Sequence, residues 1–147
     1  MNAPKIKVRN MAEADLPSVQ PLLRQLGYDL TLNELEQRFN LVVKSPEHSV
    51  LVCEAEGKVV GLLHIYGRPA LEKPAEAIIQ SIVVDKAYRK VGIGNKLVAA
   101  AELWATEQGY GSIALYSRTD RDDAHAFYSQ MDYRAKAVAH LLQKGLR

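Results

Sequence analysis

Residues 82–96 read Ile82-Val-Val-Asp-Lys-Ala-Tyr-Arg-Lys-Val-Gly-Ile-Gly-Asn-Lys96, and the rest of the chain is organised about them. They complete an apolar, β-branched run that begins at Ile78 and predicts a buried strand ending at Val84. A long amphipathic pattern opens near Gly92 and continues to Gln108, which predicts a helix. A glycine-rich turn therefore joins a buried strand to a long helix.

The turn between this strand and this helix has the features of an anion site. Gly92 and Gly94 let the backbone approach a ligand closely and let main-chain N–H groups converge. The start of the helix adds N–H groups without intrahelical partners and the positive end of the helix dipole. Three cations, Arg89, Lys90 and Lys96, add full charges. We therefore expect residues 91–96 to bind phosphate, and a diphosphate in particular.

Two familiar nucleotide-binding loops do not fit this turn. A Walker loop requires Gly-Lys-Ser/Thr, whereas Gly94 is followed by Asn95 and Lys96, so no hydroxyl is placed for magnesium. A dinucleotide-binding turn requires a third glycine, and Leu97 stands at that position. A turn that only joins a strand to a helix, without binding a ligand, stays open as an alternative.

The pattern that does fit is Arg-x-x-Gly-x-Gly after a Val-Val-Asp strand, and it resembles the coenzyme A loop of the GNAT family of N-acetyltransferases. The resemblance implies acetyl-CoA, or coenzyme A, as a cosubstrate. It implies a cofactor site made of Arg121 and of these residues of the strand and turn: Ile82, Val83, Val84, Arg89, Lys90, Val91, Gly92, Ile93, Gly94, Asn95 and Lys96.

The periodicity of the remaining chain predicts an α/β (α+β) fold. Thr31 followed by Glu34 predicts a capping box for a helix over 31–44, and Glu56-Gly57 predicts the turn of a hairpin. Mixed hairpins and crossover helices imply a mostly antiparallel sheet with helices on both faces. The order of elements matches the GNAT family along nearly the whole chain and implies six to seven strands flanked by about four helices. The other predicted elements are strands over 5–11, 49–55, 58–67, 75–84 and 112–116, helices from Glu13 or Asp15 to Gly27 and from Asp122 or Asp123 to Gln130, and one or two final strands from Tyr133, where Ala137, Ala139 and Leu141 alternate with other residues.

A second motif resembles the same family: Ser117-x-x-x-Arg121-x-x-Ala124-His125-x-Phe127-Tyr128, followed by Tyr133. The resemblance implies that Tyr128 protonates the leaving thiolate and that Arg121 contacts the pantetheine arm or a phosphate. It also implies that the backbone N–H of Val83 or Val84 polarises the thioester carbonyl. Asp132 stands where glycine is usual in the family, and aspartate tolerates the left-handed end of a helix. The ordinary alternative for Tyr128 is a core aromatic whose hydroxyl bonds to the backbone.

The base that takes a proton from the acceptor amine is not assigned. Several family members carry a glutamate two residues before the Ile-Val-Val run, where this chain has Gln80, which cannot take a proton. Glu76 on the same strand, His64 on the neighbouring strand and His125 beside the cofactor helix are the candidates. Each also has a structural explanation, and a water relay without a single base stays open.

The acceptor is expected to be a primary amine of a small molecule or a peptide, and aminoglycosides are one alternative. The resemblance places it near residues 25–33, which include Tyr28 and Asp29, with Tyr66 and Glu72 nearby. A second hypothesis is a non-catalytic acyl-CoA-binding sensor or regulatory module, which the missing base makes plausible. A third is a binder of nucleotide phosphates that ATP stabilises and CoA does not.

The composition is that of one ordinary globular domain over residues 1–147. The net charge of +2, from 19 basic and 17 acidic residues, is too balanced to indicate nucleic acid. The N-terminus lacks the apolar core of a signal peptide, no stretch has the length of a membrane span, and the single cysteine, Cys53, is expected to be a buried structural thiol. We therefore expect a cytoplasmic protein with no membrane partner. We expect no metal because no Cys/His spacing for one occurs, and the family resemblance allows a homodimer.

Overall fold

The computed structural model describes residues 5–146, and within that range five strands and four helices follow one another. The chain divides into two compact units, of which the first ends at Leu115 and the second begins at Tyr116. Short 3₁₀ turns precede α1 and α3, at Glu13–Asp15 and Lys86–Tyr88. The elements are β1 (Ile6–Asn10), α1 (Leu16–Leu26), α2 (Leu32–Val43), β2 (His48–Ala55), β3 (Lys58–Arg68), β4 (Glu76–Val84), α3 (Ile93–Glu107), β5 (Ile113–Leu115) and α4 (Asp122–Gln130).

The five strands form one sheet in the order β1-β2-β3-β4-β5. The pairs from β1 to β4 are antiparallel and β4 pairs with β5 in parallel, which confirms the α/β class and the mixed, mostly antiparallel sheet. The expected number of six to seven strands is wrong for the described residues, since none forms a strand after Leu115. Residues 133–146, where final strands were expected, have no regular secondary structure. Their alternation relies on Ala137 and Ala139, and alanine is a poor strand former that buries little apolar area.

Local signals set the boundaries of several elements. The Thr31 Oγ1 accepts from the Glu34 N–H at 3.1 Å and the Glu34 Oε1 accepts from the Thr31 N–H at 3.0 Å, so the predicted capping box begins α2. Glu56 and Gly57 have positive φ angles of 54° and 81°, the type I′ geometry that suits a two-residue hairpin. Gly27 ends α1 in the left-handed conformation, with a φ of 112°.

Two helices begin near their predicted starts without a capping bond from an aspartate side chain. The Asp15 carboxylate makes no capping bond to α1 and instead accepts from the Ala12 N–H at 2.7 Å and binds Arg9. At α4 the capping residue is Arg121, and Asp122 and Asp123 both lie in the first turn. Their negative charges there are favourable at the positive end of the helix dipole, which does not require a capping bond.

Residue alternation on β2 and β3 shows which helices cover each face of the sheet. Val52 and Leu62 belong to a buried cluster with side chains of α1 and α2, namely Leu16, Val19, Leu22, Leu35 and Phe39. Their strand neighbours Cys53 and Gly61 point to the opposite face, because successive side chains alternate. There Gly61 lies against α3. Helices therefore cover both faces, as the sequence predicts.

Gly61 allows α3 to lie close to the sheet. A Cβ at this position would be 3.0 Å from the Leu97 Cδ1 and 3.1 Å from the Ile93 Cγ2, which is tighter than ordinary van der Waals contact. Ile93 is the first residue of α3 and is fully buried. The contact thus sets the height of the helix N-terminus above β3.

A cluster of three charged residues joins β1, β2 and the turn before α1. The Arg9 guanidinium binds both oxygens of Asp15, at 2.7 and 2.8 Å, and its Nε binds the Glu54 Oε2 at 2.8 Å. The hydrogen bond from Arg9 holds the pKa of Asp15 below its usual value. Because the Asp15 side chain is only 10% exposed, water screens this pair weakly.

We expect Asp15→Asn to lower the free energy of unfolding by about 2 kcal/mol at pH 7, because the Arg9 guanidinium loses a bidentate partner. The depressed pKa means that this stabilisation is present above the unfolded pKa near 3.9 and is lost as the pH falls through the folded pKa. Urea unfolding followed by circular dichroism measures the difference, which should shrink below about pH 4. Asp120→Asn is the control, since Asp120 binds Arg118 at an exposed position, where water screens the pair, and should leave the free energy of unfolding nearly unchanged. If the difference in free energy of unfolding between wild type and Asp15→Asn stayed the same at low pH, the ionised Asp15 carboxylate would not be its source.

Candidate active site

The edge of β4 that faces β5 becomes free partway along the strand. The parallel ladder ends where Ile79 pairs with Leu115. At the same point the register with β3 shifts, since His64 pairs with Ser81 and Ile65 with Ile79, which leaves Gln80 as a bulge. β4 and β5 therefore separate after Ile79, before residues 82–84 of the predicted coenzyme site. From residue 80 to residue 84, β4 therefore pairs with β3 alone among the described strands.

Backbone direction distinguishes Val84 from Val83 at this free edge. The Asp85 N–H donates to the Val60 carbonyl on β3 at 2.8 Å. Because peptide groups alternate along a strand, the N–H and C=O of Val84 point the other way, toward the free edge. The Arg89 Nε donates to the Val84 carbonyl at 3.1 Å, in agreement with this direction. The N–H of Val84 is thus the one available at this edge, whereas that of Val83 faces β3.

The turn into α3 is held by short-range bonds and two left-handed residues. The Asp85 Oδ1 accepts from the Ala87 N–H at 3.0 Å. Lys90 and Gly92 have φ angles of 66° and 89°. The first helical hydrogen bond runs from the Lys96 N–H to the Gly92 carbonyl at 3.1 Å. The N–H groups of residues 93–95 therefore precede it and lack acceptors within the helix, which makes this end of α3 suited to an anion.

The cations of the turn lie at the surface beside this helix end. Arg89, Lys90 and Lys96 are all exposed. Their charges add to the positive end of the α3 dipole and favour a ligand with more than one negative charge. The Lys86 N–H also donates to the Gln25 Oε1 at 3.0 Å, which links the end of α1 to the turn. The sequence offered no signal for this link, because it joins residues far apart in the chain.

Tyr128 and Arg121 belong to the second unit. Tyr128 is half-buried on α4, and its ring packs edge-on to Phe127 and Tyr133 at centroid distances of 5.1 and 5.7 Å. Burial raises the pKa of the Tyr128 phenol. The phenol therefore keeps its proton throughout the neutral range. Arg121 is exposed, and its carbonyl accepts from the His125 N–H at 3.0 Å.

The predicted base candidates have different surroundings. Glu76 begins β4, eight residues before Val84 and so roughly 26 Å away along the strand. Its carboxylate accepts from the Ser112 hydroxyl at 3.0 Å and lies 3.8 Å from cations of Arg68 and Lys73. Glu76 is therefore a structural carboxylate at the far end of the strand. His125 is exposed on α4.

His64 lies in a cluster of rings that the sequence did not predict as a unit. Its Nε2 is 2.8 Å from the Nδ1 of His48, and His48 stacks on Tyr66 with ring centroids 5.1 Å apart. Burial lowers the pKa of His64 to about 4, and His48 adds to this effect. His64 is therefore neutral at physiological pH. The hairpin turn at residues 56–57 was a usable signal, since counting back from it brings His48 near Tyr66.

Of the residues expected at the acceptor site, Tyr28 and Asp29 lie on the exposed loop between α1 and α2, whereas Tyr66 is half-buried on β3 and Glu72 lies on the loop before β4. The Tyr28 side chain is 60% exposed. The Asp29 carboxylate is 3.5 Å from the Arg24 guanidinium, so its charge is partly balanced. Cys53 is buried and burial raises the pKa of its thiol, which agrees with the expected structural thiol.

The described part of the chain contains neither a cluster of metal ligands nor a helix that could span a membrane. Among residues 5–146 there is no group of three or more His, Cys, Asp or Glu side chains able to hold a metal ion. None of the helices in that range combines the length and the apolar character needed to cross a bilayer.

The chain is similar to known acetyltransferases over most of its length. The family model described as acetyltransferase (GNAT) family matches residues 10–133. The uncharacterized N-acetyltransferase YhdJ of Bacillus subtilis is 26% identical over 109 residues, which cover 74% of this chain and 77% of that protein. The uncharacterized N-acetyltransferase MJ1207 of Methanocaldococcus jannaschii is 30% identical over 102 residues, which cover 68% of this chain but only 45% of that protein. A solved aminoglycoside N-acetyltransferase, AAC(6')-Iy in complex with CoA, shares the fold with a TM-score of 0.87 at 15% identity, over 97% of both chains.

Proposed function

Because this chain belongs to the acetyltransferase (GNAT) family and is an N-acetyltransferase, we propose that it moves an acetyl group from acetyl-CoA directly to a primary amine of a small molecule or peptide. One observation carries the proposal. The free edge of β4, with the Val84 N–H on it, leads into the turn at the start of α3, where N–H groups without helical acceptors suit an anion. A thioester joined to a diphosphate by a flexible arm matches that combination.

The helix end fits the diphosphate of acetyl-CoA. The N–H groups of residues 93–95 have no helical acceptors, and Gly92 lets the chain turn so that these groups converge. Lys90 and Lys96 supply countercharge from exposed positions. We propose that residues 82–84 and 89–96, with Arg121, hold the coenzyme. The coenzyme itself supplies the acetyl group in an activated form, as a thioester.

The Val84 N–H is the proposed donor to the thioester carbonyl. A donor fixed in a strand does not reorganise when negative charge develops on the carbonyl oxygen, which is why such donors favour the transition state. The bond from Arg89 to the Val84 carbonyl supports this peptide group in its orientation. Between the two alternatives that the sequence left open, backbone direction favours Val84 over Val83.

Tyr128 is the proposed acid. The C–S bond breaks as the amide bond forms, and the departing thiolate needs a proton. A phenol with a raised pKa carries its proton at neutral pH and is available as a donor. Two arguments support Tyr128 as the acid. Its phenol is protonated at neutral pH, and the Ala124–Tyr128 segment resembles the motif of the family.

Aminoglycosides are one specific class of acceptor worth testing, because the solved neighbour in complex with CoA is an aminoglycoside N-acetyltransferase. At 15% sequence identity the similarity establishes a shared fold but does not identify the acceptor of this chain. The partly balanced Asp29 and the exposed Tyr28 give the acceptor loop little negative charge, which favours an acceptor with few cationic groups. A small monoamine or a peptide amine is therefore the leading proposal.

The proposed function is tested by release of the CoA thiol from acetyl-CoA in the presence of an amine library. The library should contain monoamines, polyamines, amino-acid amides, lysine peptides and aminoglycosides, with mass spectrometry of each product. Thermal shift with CoA and with ATP separates coenzyme binding from general phosphate binding. Acetylation of at least one amine, with stabilisation by CoA and not by ATP, is expected. Stabilisation by CoA without turnover on any amine would instead support an acyl-CoA sensor.

Arg89→Ala is expected to raise the Kd for CoA about tenfold, because it removes a cation and the bond that holds the Val84 peptide group. Isothermal titration calorimetry measures this change. The difference from wild type should narrow at high salt, since part of the loss is a screened charge effect. Arg38→Ala removes an exposed arginine from α2 and serves as the control. Equal affinities of the Arg89 variant and wild type would remove Arg89 from the site.

Three organisational predictions accompany this function. We propose that residues 1–147 form one acetyltransferase domain, supported by a family match that runs through both compact units. A homodimer stays a prediction, which size-exclusion chromatography with light scattering tests. A cytoplasmic location also stays a prediction, which cell fractionation tests.

A further inference from the structure

Two histidines on neighbouring strands share a hydrogen bond on the face of the sheet that α1 and α2 cover. His48 and His64 lie at even-numbered positions of β2 and β3, in step with Val52 and Leu62 of the buried cluster on that face. The His48 Nδ1 and the His64 Nε2 are 2.8 Å apart, so one ring donates and the other accepts. Stacking against Tyr66, with an interplanar angle of 14°, fixes the plane of the His48 ring.

This pair has the chemistry of a proton relay. A neutral imidazole carries one proton on one nitrogen and accepts another proton on the second. The shared bond uses one nitrogen of each ring, which leaves the His64 Nδ1 at one end and the His48 Nε2 at the other. His64 is half-buried, and its lowered pKa of about 4 disfavours a charged ring, so a proton that arrives at one of its nitrogens has to be matched by a proton that leaves the other. A proton taken at one end can therefore leave at the other while both rings stay neutral on average.

The pair lies beside the part of β4 where the proposed thioester site begins. His64 pairs with Ser81, the residue that follows the Gln80 bulge. Ser81 is three residues before Val84, which is about 10 Å along a strand, so a chain of several bridging waters has to join His64 to the reaction site. Glu76 is roughly 26 Å from Val84 along β4 and Gln80 cannot take a proton. His64 is thus the neutral basic group on the strand next to that site.

We propose that His64 and His48 form a proton relay that carries the proton lost by the acceptor ammonium from the reaction site to solvent. The inference rests on the proposed acetyl transfer. The ammonium gives one proton through water to the His64 Nδ1, His64 passes a proton across the shared bond, and the His48 Nε2 releases one. The neutral amine then forms the C–N bond as the C–S bond breaks. Its second proton leaves as the amide forms, and the thiolate gains one, so the reaction releases a single proton overall.

The experiment compares His64→Ala, His48→Ala and His64→Gln with wild type on the best amine of the library. We expect kcat to fall about tenfold in each variant, with the Kd for CoA unchanged. Added imidazole should restore kcat in the two alanine variants, because it can occupy the vacated space and carry protons. It should not restore kcat in His64→Gln, where the glutamine side chain occupies that space without carrying a proton. His140→Gln, at an exposed position, is the control.

Each outcome decides the matter. A purely structural pair would lose activity in the alanine variants without rescue by imidazole, and that result would overturn the relay. Unchanged kcat in all three variants would overturn it as well. His48→Ala keeps the test decisive if His64→Ala does not fold, because His48 is the member of the relay that is proposed to release the proton. If wild type bound CoA but acetylated no amine, the proposed function itself would be overturned. That outcome differs from a failed imidazole rescue and from an unchanged kcat, because both of those require an active wild-type enzyme.

Discussion

Tyr128→Phe is expected to lower kcat for acetyl transfer by about 100-fold, with a change in the Kd for CoA of about twofold or less. The phenylalanine keeps the ring that packs against Phe127 and Tyr133, so the fold and the coenzyme affinity should be retained. Only the acidic hydroxyl is lost, and with it the proton for the departing thiolate. Steady-state thiol release and calorimetry with CoA measure the two quantities separately.

The matched control is Tyr133→Phe, which removes a phenol from the same cluster of rings. It should leave kcat within about twofold of wild type, because Tyr133 is not a proposed donor. Since burial raises the pKa of Tyr128, the acid should stay protonated, and kcat should not fall through its titration between pH 7 and 9. A Tyr128→Phe enzyme with wild-type kcat would show that the thiolate takes its proton elsewhere, for instance from water.

Gly92→Ala is expected to raise the Kd for CoA about 100-fold. Gly92 has a φ of 89°, a conformation that alanine adopts only with strain. The backbone relieves this strain by rotating the peptide groups on either side of residue 92. The N–H groups at the start of α3 then no longer point toward one ligand. Loss of about two charge-assisted hydrogen bonds, at about 1.5 kcal/mol each, accounts for this factor.

Gly109→Ala is a close control because it separates backbone strain from ligand binding. Gly109 also has a φ of 89° and follows the other end of the same helix. Neither glycine has an atom within 4 Å of the place where a Cβ would stand. Both variants should therefore lose about 1 kcal/mol of stability by thermal unfolding, while only Gly92→Ala loses affinity for CoA. Equal affinity in the two variants would contradict the assignment of the diphosphate to this turn.

Signals carried by a few neighbouring residues were enough to predict most of the fold. The capping box at Thr31 and the hairpin turn at Glu56-Gly57 depend on bonds and backbone angles within four residues. The glycine turn before α3 is likewise local, and so the position of the proposed anion site followed directly from the sequence. Patterns of this kind are independent of the partner against which an element later packs.

Features that depend on strand register could not be predicted in this way. The choice between Val83 and Val84 as the N–H donor needs the pairing of Asp85 with Val60. The bulge at Gln80 and the contact between His48 and His64 arise from cross-strand alignment, which neither strand reveals when it is considered without its neighbour. The histidine pair was missed for this reason, although His64 alone was considered.

The predicted final strand shows the limit of alternation as a signal. Ala137, Ala139 and Leu141 alternate, yet residues 133–146 form no strand. A strand also needs an available partner edge and enough apolar area to cover, and two of these three side chains are single methyl groups. An alternating pattern shows which residues would lie on the same face of a strand. It does not show whether a neighbouring strand is available for pairing.

The absence of a side chain at Gly61 means that packing inside the protein sets the position of the proposed coenzyme site. Ile93 and Leu97 rest directly on that bare backbone, so any larger residue there would wedge the first turn of α3 away from the sheet. The amide donors would move outward with it as a group. We therefore expect substitutions at this interior position to change the affinity for the coenzyme while every residue of the glycine turn is kept.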